Sequence, residues 1–219
     1  MENSPNTRSD NNLLRKVVAR FVPYTLIIFA ISASLPAVVE HGDVIVFEEN
    51  GPVEWLQFTI MLVSAVVLLL YSRLEGYGSR ELFTIIALVQ VAVAIREMDD
   101  TFDQFVPFIG WESPFIICIL TGILFYWRRK NAISIQMDTF IRTRAFSLLW
   151  CGFIVTVPFA QLVGHGDFLK LLMGNDYVRD FKRVIEELGE LLGYLLILIG
   201  SFEAVLQQKE KQNDNSNSG

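Results

Sequence analysis

Apolar residues in this chain gather into six long blocks set apart by polar stretches: Phe21–Val39, Trp55–Tyr71, Leu82–Ile95, Ser113–Trp127, Phe146–Gly164 and Leu188–Leu206. None of the blocks alternates polar and apolar positions, as the strands of a membrane barrel would. A hydrocarbon core of about 30 Å takes roughly 20 helical residues, and most of the blocks come close to that. Leu82–Ile95 is short, and needs snorkelling by Arg96, local thinning of the bilayer or burial among neighbours. The pattern predicts an all-α, polytopic integral membrane protein with six transmembrane helices within residues 13–206. The flanking tails, 1–12 and 207–219, are polar and rich in Asn and Ser, and are expected to be disordered.

Helix-start signals agree with the blocks. Asn50-Gly51-Pro52 makes a turn ahead of Trp55, with the proline suited to a first helical turn and Glu54 near the positive end of the helix dipole. Ser113-Pro114 repeats that logic. Pro23, Pro36 and Pro158 fall within or near span ends, where neighbouring helices can satisfy freed carbonyls. Trp55, Trp111, Trp127 and Trp150 all lie at or near block ends, as in an interfacial aromatic belt.

The basic residues set an orientation. With both termini on one side, that side holds Arg8, Arg15, Lys16, Arg20, Arg73, Arg80, Arg128, Arg129, Lys130, Arg142, Arg144, Lys209 and Lys211, thirteen of the eighteen. The positive-inside rule then makes both termini cytoplasmic, in a multi-pass protein of the plasma (inner) membrane. The basic start, the first block and Ser32-Ala33-Ser34 also have the shape of a cleavable signal peptide. The block runs past that site and Pro36 follows it, so an uncleaved first span is the expectation.

Composition changes this picture little. Hydrophobic residues make up 52% of the 219 and charged residues 19%, fewer than the quarter or so usual in soluble domains. A net charge of −6 offers no basic face and excludes a nucleic-acid partner. The expected partner is the lipid bilayer. Cys118 and Cys151 lie at different depths in the fourth and fifth blocks, so they read as small packing residues rather than a disulfide.

Acids give the candidate chemistry. Sixteen of the twenty-four fall on the outer side, with both histidines and only five basic residues. Depletion of Lys and Arg accounts for the sign, but less well for Glu54, Glu97 and Glu190 abutting apolar blocks. His41-Gly42-Asp43 after the first block is echoed by His165-Gly166-Asp167 after the fifth. Each is followed by paired acids, Glu48-Glu49 and Glu186-Glu187, and then by Glu54 and Glu190, a pattern that a duplicated hairpin would produce. In Arg96-Glu97-Met98-Asp99-Asp100, a continuing helix would put Glu97 and Asp100 on one face, with Arg96 free to pair with Asp100 at i,i+4.

Lys182 with Glu186 and Arg183 with Glu187 have the spacing of a solvated surface helix. Glu190 differs, because Gly189 and Gly193 around it allow a close helix neighbour, or a homo-oligomeric or membrane partner, on that face. The expected site therefore combines His41, Glu54, His165 and Glu190 as ligands of a divalent cation (Zn, Mn, Fe or Ca) with Glu97, Asp100 and Glu190 as catalytic carboxylates. An enzyme built this way is a membrane-embedded hydrolase of a lipid-linked or small substrate, its cation activating a water. No HExxH motif or cysteine ligand set is present. A cation-coupled transporter or channel, or a non-catalytic accessory subunit, would use the same acidic face differently.

Overall fold

The computed structural model describes residues 7–42, 44–48, 50–73, 79–105 and 110–217. The described residues are 92% helical, and no strand occurs among them. It divides into two units, Met1–Asp43 and Val44–Gly219. Among the described residues, four helical stretches are long and apolar enough to cross a membrane: Val17–Ala37, Pro52–Ser72, Arg144–Val163 and Arg179–Glu210.

The first unit is a single helix, α1 (Thr7–Gly42), with Pro23 and Pro36 inside it. Its 36 residues are more than a bilayer core requires, so the polar start Thr7–Asn12 is helical where a disordered tail was expected. Adding a residue to a helix already nucleated costs little. Leu26, Ile27 and Phe29 are exposed along it, an apolar exterior suited to lipid.

The second unit is a helical bundle. A short 3-10 turn (Val44–Phe47) leads to α2 (Pro52–Ser72), followed by α3 (Arg80–Glu97), α4 (Asp99–Phe105) and α5 (Glu112–Phe140). Next come α6 (Arg144–Ile154), a π-helical turn (Val155–Phe159), α7 (Ala160–Val163), α8 (Gly166–Met173) and α9 (Arg179–Asn217). α9 packs against α2 and α6, and α3 packs between α2 and α5. α3 covers the short third block and lies buried among its neighbours: Leu82, Phe83, Ala87, Gln90, Ala92 and Ala94 are all buried. A core of Ala65, Leu68, Phe83, Phe140, Ala145 and Ala204 joins α2, α3, α5, α6 and α9.

Lipid tails are as apolar as leucine, so helices in a bilayer associate through close packing rather than through escape from water. The α6–α9 seam shows how. A Cβ on Gly193 would lie 1.9 Å from Thr156 Oγ1, and one on Gly152 would lie 2.7 Å from the Gly193 carbonyl oxygen. Gly189 faces Ala160, and Gly200 faces Leu149. The close helix neighbour expected at the Gly189/Gly193 face is this chain's own α6, π turn and α7. Pro158 explains the π turn: it has no N–H and its ring crowds the carbonyl four residues back. The Ala160 N–H donates instead to Val155 O, five residues back.

At the other end of the chain, the polar stretch Gln207–Asn217 continues α9 instead of forming a disordered tail. Side chains anchor its beginning. Gln208 Nε2 donates to Ser79 Oγ at 2.6 Å, and Lys209 Nζ stands 4.9 Å from the centre of the Tyr71 ring.

Candidate functional site

The turn ahead of α2 brings the first carboxylate into place. Asn50 has φ 62°, a left-handed conformation that asparagine tolerates better than most residues. From Glu54 in the first turn of α2, Oε2 accepts the Asn50 N–H at 2.6 Å. Thr101 on α4 hydrogen-bonds Asn50 Oδ1, tying α4 to this turn. Glu54 therefore holds the turn that precedes α2 and at the same time lines the cavity described below.

α3 delivers the second carboxylate at its last residue. The helix stops at Glu97, Met98 caps it, and a new helix starts at Asp99. The continuous-helix geometry expected across Arg96–Asp103 is therefore broken at Met98. Arg96 Nη1 stands 3.5 Å from Glu97 Oε1; this adjacent pair takes the place of the i,i+4 pair expected with Asp100. Tyr194 on α9 donates its hydroxyl to Glu97 Oε1 at 2.8 Å. Glu97 is 9% exposed; burial pushes its carboxyl up, while the Tyr194 hydrogen bond and the Arg96 charge oppose that shift.

α9 supplies the remainder. It begins at Arg179, so Glu190 sits about three turns inside the helix, and the expected role at a helix start does not apply. Glu190 is 7% exposed, and is subject to the like charges of Glu97 and Glu187 and the opposite charge of Arg96. Lys182 Nζ donates to Glu186 Oε2 at 2.8 Å, the pairing that its spacing predicts. Glu187 departs from the surface-helix expectation: its Oε2 accepts Gln57 Nε2 from α2 at 2.9 Å.

These elements close around a cavity of about 290 Å³ lined by Glu54, Arg96, Glu97, Asp99, Asp100, Arg179, Lys182, Arg183, Glu186, Glu187 and Glu190, with Phe47 at its edge. Four of the expected residues, Glu54, Glu97, Asp100 and Glu190, thus share one space. The histidines do not join them. His165 is exposed in an extended conformation just before α8 and is not part of the cavity wall. His41 lies within α1; its side chain, and residues Asp43 and Glu49, lie outside the described residues. His41 lies at the end of α1, and His165 lies between the end of α7 and the start of α8.

Among the described residues, no group of three His, Cys, Asp or Glu side chains is placed to hold a metal ion. The expected centre of His41, Glu54, His165 and Glu190 is therefore not supported, because its carboxylates and its exposed histidine are held apart by different elements. Cys118 and Cys151 are free thiols.

Four further contributors were not singled out from the sequence as site residues: Arg96, Gln57, Tyr194 and Glu187. Each acts across helices, from positions at which local spacing suggests only packing or surface pairing. Glu203 was also missed. It is 0% exposed on α9 and accepts Gln207 Nε2 at 3.1 Å. A lone carboxylate inside the block Leu188–Leu206 is itself a signal, since ionisable groups inside apolar spans are costly and mark functional or paired positions.

The chain matches no family model, no curated protein and no solved structure, so its function has to be read from its own residues.

Proposed function

We propose that the chain is a six-span protein of the inner membrane with both termini cytoplasmic. Its charged cavity is then an extracytoplasmic site where a small or lipid-linked substrate is bound and hydrolysed by carboxylate acid–base chemistry. The observation that carries this reading is the convergence of Glu54, Glu97, Asp100 and Glu190, from four separate helices, on one cavity. Thirteen basic residues on the opposite side support the orientation.

Acid–base work calls for two carboxyl groups in unlike surroundings, one kept ionised and one ready to exchange a proton. Glu97, held by Tyr194 and Arg96, suits the orienting role. Among the described residues Glu190 has charged neighbours and no hydrogen-bond donor, which suits the residue that takes a proton from a water and returns it to the leaving group. Arg179, Lys182 and Arg183 give the cavity a basic wall that can orient an anionic part of the substrate.

The test is product formation. Wild type in lipid nanodiscs, incubated with a bacterial lipid extract, should generate products that empty nanodiscs do not. Glu190→Gln should lower their rate of formation by about a hundredfold or more with its unfolding midpoint near wild type. If wild type and empty nanodiscs give the same spectrum, the hydrolase reading fails. A proton-coupled carrier is the second reading, favoured by polar groups that continue below the cavity: the Gln90–Ser201 hydrogen bond at 3.0 Å and the buried Glu203. Acid-driven uptake into liposomes would select it.

A further inference from the structure

A groove of about 290 Å³ runs between α3 and α5 and shares no residue with the charged cavity. Ile85 and Val89 of α3 and Ile119, Gly122, Ile123 and Trp127 of α5 line it. Val89 and Ile123 are exposed, so the groove opens to the outside of the bundle. The thiol in its wall, Cys118, is already engaged: Sγ donates to the Leu88 carbonyl oxygen at 3.2 Å. A chain lying here meets little but hydrocarbon.

Two observations bear on what covers it. The first is Gly122. Glycine inside a helix is unfavourable relative to alanine, and at the α6–α9 seam that cost is offset by the close approach of two helices. Gly122 serves no such approach, since a Cβ there would meet nothing within 4 Å. Its missing side chain leaves the groove open instead. The second is charge at one end. Ile119, Gly122, Ile123 and Tyr126 recur at i, i+3, i+4 and i+7, one face of α5. The next members of that face are Arg129 and Lys130, both exposed. Among the described residues, the charges around this end are Arg80 and Glu81 at the start of α3 and Arg128, Arg129 and Lys130 on α5, four basic and one acidic. The acid is engaged, Glu81 Oε2 accepting Gln136 Nε2 at 2.7 Å. The sign is therefore positive, and an anionic headgroup is favoured there over a neutral or cationic one. Trp127 lies eight residues after Ile119, about 12 Å along the helix axis, close to one leaflet of a hydrocarbon core about 30 Å thick. Tyr126 and Trp127 are exposed where the groove meets the basic residues, the headgroup level at which such rings gather.

We propose that this groove holds an anionic phospholipid of the cytoplasmic leaflet, one acyl chain lying over Gly122 and the phosphate meeting Arg129 and Lys130. The inference uses the six-span placement proposed above and none of the hydrolase chemistry.

The experiment follows thermal unfolding of the full chain in maltoside micelles with two probes of equal acyl chains, phosphatidylglycerol and phosphatidylcholine. Phosphatidylglycerol should raise the unfolding midpoint at mole fractions at least about tenfold below those needed for phosphatidylcholine. Arg129→Gln combined with Lys130→Gln should remove that preference. Arg142→Gln combined with Arg144→Gln, exposed and on the same side of the membrane but off the groove, should keep it. Gly122→Leu should weaken the response to both lipids, while its midpoint without lipid stays near wild type because open space receives the side chain. Should Gly122→Leu not accumulate as a monodisperse protein, Ile119→Trp fills the same groove. Equal responses of wild type to the two lipids overturn the proposal. A preference that survives without Arg129 and Lys130, or disappears equally without Arg142 and Arg144, overturns it too. An undiminished lipid response in the filled variant does the same, because the lipid is then held elsewhere. So does a filled variant that unfolds well below wild type before lipid is added, because the groove then holds a protein segment or a second copy. Labelling from outside the cell at a cysteine placed at Lys130 would overturn the orientation and the choice of leaflet alone, since micelles carry no sidedness.

Discussion

The two ends of α3 hold carboxylates in opposite circumstances. Glu81, in its first turn, accepts Gln136 Nε2 at 2.7 Å, and Gln136 Oε1 in turn accepts the Leu82 N–H at 2.8 Å. Nearby, Ser79 accepts from Gln208. These polar groups are used up by one another, and the basic residues Arg80 and Arg129 lie within reach of Glu81. At the far end, Glu97 is buried beside Glu187 and Glu190, with Arg96 and Tyr194 as its compensating partners. A closed network of this kind holds a structure together. Like charges gathered around a cavity are tolerated where a cation or a proton completes them. The contrast is the reason for placing the proposed site at the Glu97 end.

Membrane sidedness offers the sharpest way to break that comparison, because its outcome is all or none. A membrane-impermeant thiol reagent applied to intact cells should label a cysteine placed at Asp167 or Asp100 and spare one at Lys130, in a chain whose Cys118 and Cys151 are replaced by alanine. The reverse pattern would put the charged cavity on the cytoplasmic side and remove the extracytoplasmic site.

A smaller effect separates the two ends by stability. Gln136→Leu leaves the Leu82 N–H and the Glu81 carboxylate without their side-chain partner, and should cost about 1–3 kcal/mol. Glu190→Gln removes a like charge and keeps the shape, so its unfolding free energy should stay within about 1 kcal/mol of wild type. If the two variants lose the same amount, the cavity carboxylates belong to the structural framework after all.

Much of this arrangement was legible in the sequence. The helices follow from runs of apolar residues, and Glu54, Glu97 and Glu190 stand out because each abuts such a run. The unread parts are those settled between helices. Glu187 has the spacing of a surface ion pair, and only the approach of α2, carrying Gln57, turns it inward. Tyr194 looks like packing until α3 places Glu97 opposite it. The shared tripeptide does not bring His165 to the cavity wall, because His165 sits in the link between α7 and α8. The break at Met98 carries no glycine or proline to announce it. Gln207–Asn217 looked like a tail because its anchors, Ser79 and Tyr71, are distant in sequence.

The smallest effect is a difference in sign along the single helix α3. The Gln136 hydrogen bond, more than the charges of Arg129 and Arg80, holds the Glu81 carboxyl below its ordinary range. A depressed carboxyl contributes stability that is present above the unfolded-state value, near 4.5, and is lost as the pH falls through the folded-state value. The advantage of wild type over Glu81→Gln should therefore shrink as the pH is lowered from about 6 to about 3. Glu97 is shifted the other way by burial. Its contribution is fully present below the unfolded-state value and is lost as the pH rises through the higher folded-state one. Wild type should accordingly gain on Glu97→Gln over the same downward titration. Unfolding midpoints of the three proteins in micelles, read at matched ionic strength, give both slopes in one experiment. Glu81 is only partly buried, so its slope should be the shallower of the two. Slopes of the same sign would mean that Tyr194 and Arg96 outweigh burial at Glu97. The two ends of α3 would then be electrostatically alike, and the case for a receptive cavity would rest on its shape alone.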